Sequence, residues 1–120
     1  MVLKVARYRK VQWWFTPRRW RMELPIRVKV SSALGMREFQ AQTYDISKAG
    51  LFIPGVYIPP GTPCFISLSL KGLTFVQCQA KVVRSSQGMR GGYPAGIGIS
   101  LRGLSSIEQW KLHSFLQDCR

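Results

Sequence analysis

From Pro25 to Leu101 the chain alternates apolar and polar residues with a period of two, and few folds accommodate that repeat. Successive side chains of a strand point to opposite faces, so each such run predicts a half-buried β-strand. Ile26, Val28 and Val30 alternate with Arg27 and Lys29. Phe39, Ala41 and Thr43 alternate with Gln40, Gln42 and Tyr44, so a second strand runs into Asp45. Leu51 to Ile53 predict a short third strand. Ile66, Leu68 and Leu70 alternate with Phe65, Ser67 and Ser69, and Val76, Cys78, Ala80 and Val82 with Gln77, Gln79 and Lys81. Tyr93, Ala95, Ile97, Ile99 and Leu101 are the inward set of a sixth strand, with Gly96 and Gly98 on its other face. Glycines so placed predict bending or close approach of another backbone.

Turn signals separate these runs: Ser31 to Gly35, the proline-rich Pro54 to Pro63, Lys71-Gly72, and the polar stretch Ser85 to Gly92. Six short strands punctuated in this way predict an antiparallel barrel or sandwich. The end of the chain changes period. Ser105 followed by Glu108 is a capping box that opens a helix. Leu104, Leu112, Phe115, Leu116 and Cys119 cluster on one side of that helix, with Trp110 nearly opposite, so the stripe is expected to dock on the sheet. The expected division is a basic, aromatic N-terminal segment over 1–16, holding Trp13-Trp14-Phe15, and a barrel domain over 17–120.

The chain has 18 Lys+Arg against 5 Asp+Glu, a formal net charge of +13. Such an excess implies an anionic partner. Residues 1–30 hold nine of the basic groups and one acid, Glu23, so the anion site is weighted towards the N-terminus. The three cysteines, Cys64, Cys78 and Cys119, are odd in number and lack metal-ligand spacing, which points to core thiols in a reducing compartment. No secretory h-region follows the N-terminal charges, and nothing approaches a membrane span of about 18 apolar residues. The cytoplasm is the expected compartment.

An enzyme is disfavoured. The single histidine, His113, lies on the helix, and the five acids are too scattered for a carboxylate pair or metal cage. No phosphate-loop or dinucleotide fingerprint occurs. Two stretches suit binding instead. Arg18-Arg19-Trp20-Arg21 offers planar guanidinium forks that can pair with phosphate, take the O6 and N7 of guanine, or stack on a base. Asp45-Ile46-Ser47-Lys48-Ala49-Gly50, read as the turn leaving the second strand, places an acid, a hydroxyl and a glycine in close sequence. An ionised Asp45 complements the N1–H and N2–H2 edge of guanine, Ser47 can donate to a phosphate or purine acceptor, and Gly50 admits positive φ or a close approach. The same residues also fit an ordinary Asx turn, and the arginines a solvated basic loop.

In this setting the chain resembles the PilZ domain, the bacterial receptor family for cyclic di-GMP. The family's Asp/Asn-x-Ser-x-x-Gly motif stands complete at Asp45–Gly50. It follows an arginine loop and the strand Pro25-Ile26-Arg27-Val28-Lys29-Val30. Ala80-Lys81-Val82-Val83-Arg84 resembles the family's penultimate strand, and Gly96-Ile97-Gly98-Ile99 its last. The family's other motif, Arg-x-x-x-Arg, is represented here by Arg18-x-x-Arg21 with Arg19 between, a shorter spacing. The resemblance covers about residues 17–118. It implies a six-stranded antiparallel β-barrel with a C-terminal α-helix, in a bacterial protein. It also implies a non-catalytic receptor that binds cyclic di-GMP on the barrel exterior and relays it to a downstream protein. The ligand-binding residues so implied are Arg18, Arg19, Arg21, Asp45, Ser47, Gly50 and Arg84, with no metal and no cofactor. Two other readings remain: a PilZ-fold adaptor that binds protein without nucleotide, and a basic barrel that binds nucleic acid.

Overall fold

The structure is a computed structural model and describes residues 19–32, 35–72, 74–87 and 94–118. Arg18, Trp13-Trp14-Phe15, Tyr93 and Cys119 lie outside the described residues. The strands are β1 (Trp20–Arg21), β2 (Pro25–Ser32), β3 (Gly35–Gln42), β4 (Asp45–Ile46), β5 (Gly50–Pro54), β6 (Pro63–Ser69), β7 (Phe75–Ser86) and β8 (Gly96–Ser100). The helix α1 (Ser106–Gln117) follows. All pairings are antiparallel, in the order β1-β4-β5-β8-β7-β6-β2-β3.

The mainly-β architecture with a C-terminal helix is the expected one, but the described residues form eight strands rather than six. Each of the first two chain passes is interrupted. β1 and β2 belong to one pass, β3 and β4 to the next, and Thr43 causes the break between them. Its hydroxyl donates to the Met22 carbonyl at 2.7 Å and accepts from the Leu24 N–H at 2.9 Å, so a side chain stands in for part of the ladder. Backbone bonds bridge the gap, from Thr43 N–H to Leu24 O and from Met22 N–H to Tyr44 O. The hydrogen-bonded order is therefore open, without a ladder from β1 to β3, in place of the closed barrel expected. It still turns back on itself. Its two end strands lie on passes that pair with each other twice, as β1 with β4 and as β2 with β3.

The period-two reading places the core correctly. Ile26, Val28 and Val30 are buried and Arg27 and Lys29 exposed. Val76, Cys78 and Val82 are buried, with Gln77, Gln79 and Lys81 exposed. Each fully buried aliphatic side chain contributes about 1.5–3 kcal/mol. Cys64 and Cys78 are free thiols in this core, and burial pushes the Cys64 thiol up to about 11. Several boundaries move: Ser31, Ser32 and Gly35, expected in a turn, belong to β2 and β3, and Pro54 and Pro63, expected in a loop, to β5 and β6. Ser85 and Ser86, expected in a loop, pair with Ile97 and Gly96 at the end of β7. Asp45, expected in a turn, lies in β4.

The helix buries Leu112 and Leu116 and leaves Trp110 68% exposed, as the stripe predicts. Half of the expected capping box forms: Ser105 Oγ accepts from the Glu108 N–H at 3.3 Å. The Glu108 carboxylate goes elsewhere. It accepts the Gln77 N–H at 2.6 Å and pairs with Lys111 Nζ at 2.9 Å, while Lys111 donates to Phe75 O at 3.3 Å. β8 pairs with β7 only over Lys81–Ser86, so the first residues of β7 have an open edge on that side. α1 takes that edge with these two side chains.

Partial burial works to raise the Glu108 pKa, but the Lys111 hydrogen bond and charge and the Gln77 N–H outweigh it, holding the carboxyl below its ordinary value. Glu108→Ala strands the Gln77 N–H and is expected to cost about 1–3 kcal/mol in urea denaturation. A carboxyl lowered in the folded state stabilises fully above its unfolded pKa, and that contribution is lost as pH falls through the folded value. The gap between wild type and Glu108→Ala should therefore narrow in acid and stay constant near neutrality.

Candidate ligand-binding site

The turn joining β4 to β5 is built by Ser47. Its N–H donates to Gly50 O at 2.8 Å, and its Oγ accepts the N–H groups of Ala49 at 3.1 Å and Gly50 at 3.2 Å. The hydroxyl in turn donates to Gly50 O at 3.3 Å. Ser47 is fully buried, so its polar atoms serve the turn. Gly50 is not among the positive-φ glycines, which among the described residues are Gly35, Gly55, Gly61 and Gly72. Of the two uses expected of Gly50, positive φ and close approach, the second is the one found: a Cβ there meets Ile99 O at 2.9 Å.

Register then lays out the rest. Arg21 pairs with Asp45, Asp45 with Phe52, Phe52 with Gly98, and Gly98 with Arg84. Cross-strand partners share a face. The neighbouring row, Ile46, Leu51, Ile99 and Val82, is core, so this row faces outward. Asp45 is nevertheless 4% exposed and Phe52 0%. Phe52 is roofed by its neighbours. The Tyr44 ring meets it edge-on at 6.2 Å, and the Arg84 guanidinium lies 5.6 Å from its centroid. Below, Gly96 and Gly98 make room: a Cβ on Gly96 comes within 2.9 Å of the Phe52 ring, and one on Gly98 within 3.5 Å of Arg84.

Arg84 reaches this face because of a bulge. Val82 points into the core, so strict alternation turns residue 84 inward as well. The register shift between Val82 and Arg84 inserts Val83 and reverses the parity, placing Arg84 outside opposite Gly98. From the other side, Arg19 Nη2 contacts Asp45 Oδ1 at 2.9 Å. Arg21 donates to Tyr44 O at 2.8 Å and sets its guanidinium 3.8 Å above the Tyr44 ring.

Of the residues expected to form the site, Arg19, Arg21, Asp45 and Arg84 gather on one exterior patch. Ser47 and Gly50 shape the adjoining turn, and Arg18 lies outside the described residues. Arg21 sits on strand β1, not in a loop. Phe52 and Tyr44 were not anticipated as members. The signal for Phe52 was present: three consecutive apolar residues, Leu51-Phe52-Ile53, do not fit a strand with one wet face. Among the described residues no group of three or more His, Cys, Asp or Glu could hold a metal, and no helix is long and apolar enough to cross a membrane.

The outer face of this antiparallel sheet carries three arginines and a carboxylate, Asp45, that one of them contacts, a surface suited to anionic, hydrogen-bonding groups. The family model for the PilZ domain matches residues 16–118, and the chain belongs to that family. A search of curated proteins gave no significant match. Among solved structures the chain is similar to the Bacillus subtilis inhibitor of motility, at TM-score 0.64 and 15% identity over 87% of this chain. It spans about half of that protein, 48% of its length. It is also similar to the PilZ domain of CeSA from a cellulose synthesizing bacterium, at TM-score 0.60 and 19% identity, covering 86% of this chain and 99% of that one. At these identities the likeness is one of fold.

Ser47→Ala is expected to destabilise the domain by about 1–3 kcal/mol, because the N–H groups of Ala49 and Gly50 lose their shared acceptor. Thermal unfolding of the variant beside wild type measures this.

Proposed function

We propose that this chain is a non-catalytic receptor for cyclic di-GMP that relays ligand binding to a protein partner. The observation that carries the reading is the outward row from Arg21 to Arg84, with Asp45 beside Arg21 in it and Arg19 against that acid. Family membership supplies the ligand class. In this reading the Asp45 carboxylate accepts from the N1–H and N2–H2 edge of a guanine. Arg19 and Arg21 serve phosphates and guanine acceptors as bidentate forks. Arg84, whose guanidinium lies 5.6 Å from the Phe52 ring centroid, offers a planar cation to a base. Ser47 and Gly50 act indirectly, by fixing the turn that sets Asp45. Arg18 joins the arginine set in this proposal, and 1–16 is a separate basic, aromatic segment next to the domain. The ligand's negative charge matches the excess of arginine, and the chemistry needs no metal or cofactor.

One observation favours the adaptor reading. Asp45 is nearly buried and already paired with Arg19, so a guanine edge must displace or rearrange that contact. Calorimetry separates the two. The receptor reading predicts wild-type binding in the micromolar range or tighter, weakened about tenfold or more by Asp45→Ala and by Arg21→Ala. Arg84→Ala is expected to weaken it less than tenfold, by the exposed cation–π contribution of about 0.5–1 kcal/mol. No binding by wild type at about 100 μM cyclic di-GMP rejects the receptor reading.

A further inference from the structure

A second surface lies on the far side of the Ser47–Gly50 turn. Between Lys48 and Ala49 of that turn and the outer flank of α1 runs an open groove of about 560 Å³, also lined by Arg102, Trp110 and His113. Trp110 is one of its lining residues. It also lines a second depression of about 300 Å³, with Leu70, Lys71 and Phe115. Trp110 thus borders two hollows, 68% exposed on a helix whose opposite stripe is buried. The floor is held by the sheet, since the Leu101 N–H donates to Ala49 O at 2.9 Å.

Charge identifies the occupant. The chain has five acids. Four are committed: Asp45 to Arg19, Glu23 to Arg21, Glu38 to Arg27 and Glu108 to Lys111. The fifth, Asp118, caps the end of α1 and borders only the smaller hollow. No acid lines the larger groove, and Lys48 and Arg102 form no ion pair among the described residues. Glu108 could have neutralised this flank, but it is turned onto β7 to satisfy Gln77. A cationic groove beside an exposed tryptophan has the make-up of a binding hot spot, where an aromatic anchor is ringed by polar contacts.

We propose that this groove docks an acidic segment of a partner protein, with carboxylates meeting Lys48 and Arg102 and a large apolar side chain covering Trp110. The proposal goes beyond the receptor reading and does not depend on it. Nucleic acid is the competing occupant, but its affinity scales with the number of phosphates neutralised, and two cations with one histidine neutralise few.

The test uses the full chain. Random peptides displayed on phage are selected against it, with and without cyclic di-GMP, and the consensus peptide is synthesised, labelled and titrated by fluorescence anisotropy. The expected consensus carries acids flanking an aromatic or large aliphatic residue. Trp110→Ala and Arg102→Glu each weaken its binding about tenfold or more. Both residues are exposed, so the folded state should persist, and amide spectra check this. Cyclic di-GMP titration of the same two variants is the separate control, because neither residue belongs to the arginine–aspartate patch. A consensus without acids, peptide binding unchanged in both variants, or displacement of the peptide by a short single-stranded oligonucleotide at lower concentration than by free peptide overturns the proposal.

Discussion

The arrangement of the candidate site depends on Phe52 being buried on the outside of the sheet. A phenylalanine on a solvent-facing strand position is ordinarily a liability. Here β8 supplies Gly96 and Gly98 beside it, so the ring settles where side chains are missing, and Tyr44 and Arg84 close over it. Burying an aromatic of this size contributes several kcal/mol. That energy does not come from the core proper, because the ring belongs to the opposite face from Leu51 and Ile53. It fixes β5 against β8 from outside. It also sets a flat, apolar floor beside Asp45, its register partner. Charged groups around such a floor are held by neighbours that cannot easily move, which is what a preorganised site requires.

Much of the fold was legible because the governing signal is local. Ile26, Val28 and Val30 against Arg27 and Lys29 need only the pleat to be interpreted. The buried helix stripe at Leu112 and Leu116 is equally a matter of period. What could not be read are the places where one side chain overrides the repeat. Thr43 splits two passes into four strands with its hydroxyl, and nothing in its alternation with Tyr44 signals that bonding. Glu108 sits in a capping-box position, yet its carboxylate answers a demand set by β7, 31 residues away. Local pattern cannot reveal an open strand edge created by the shortness of a different strand.

For the candidate site, the sharing of one face by its residues was more legible than their individual placement. Asp45, Arg19, Arg21 and Arg84 were expected together and are together. Ser47 and Gly50 share the motif but carry out its structural half: one bonds the turn, the other lets β5 lie against Ile99. The parity of Arg84 is the clearest case of hidden information. Val82-Val83 reads as a harmless apolar pair, but the second valine is the bulge residue, 54% exposed, and it decides which face Arg84 joins.

The choice of arginine at these positions follows from the same floor. Arg21 and Arg84 each lie against an aromatic ring, and Arg19 shares the region with them around one carboxylate. Like charges brought together repel, and solvent screens exposed groups only in part. A guanidinium tolerates this better than an ammonium, because it is weakly hydrated and gains from stacking on a ring while its edge donors remain available. A lysine at position 84 could cross Gly98, but it would present a point charge to Phe52 in place of a planar guanidinium. The patch therefore sets Arg21 and Arg84 against aromatic rings, while Arg19 and Arg21 also spend edge donors on Asp45 and on the Tyr44 carbonyl. Any anion brought near such a cluster relieves the repulsion among its guanidiniums, and the ring contacts of Arg21 and Arg84 can persist while it does so.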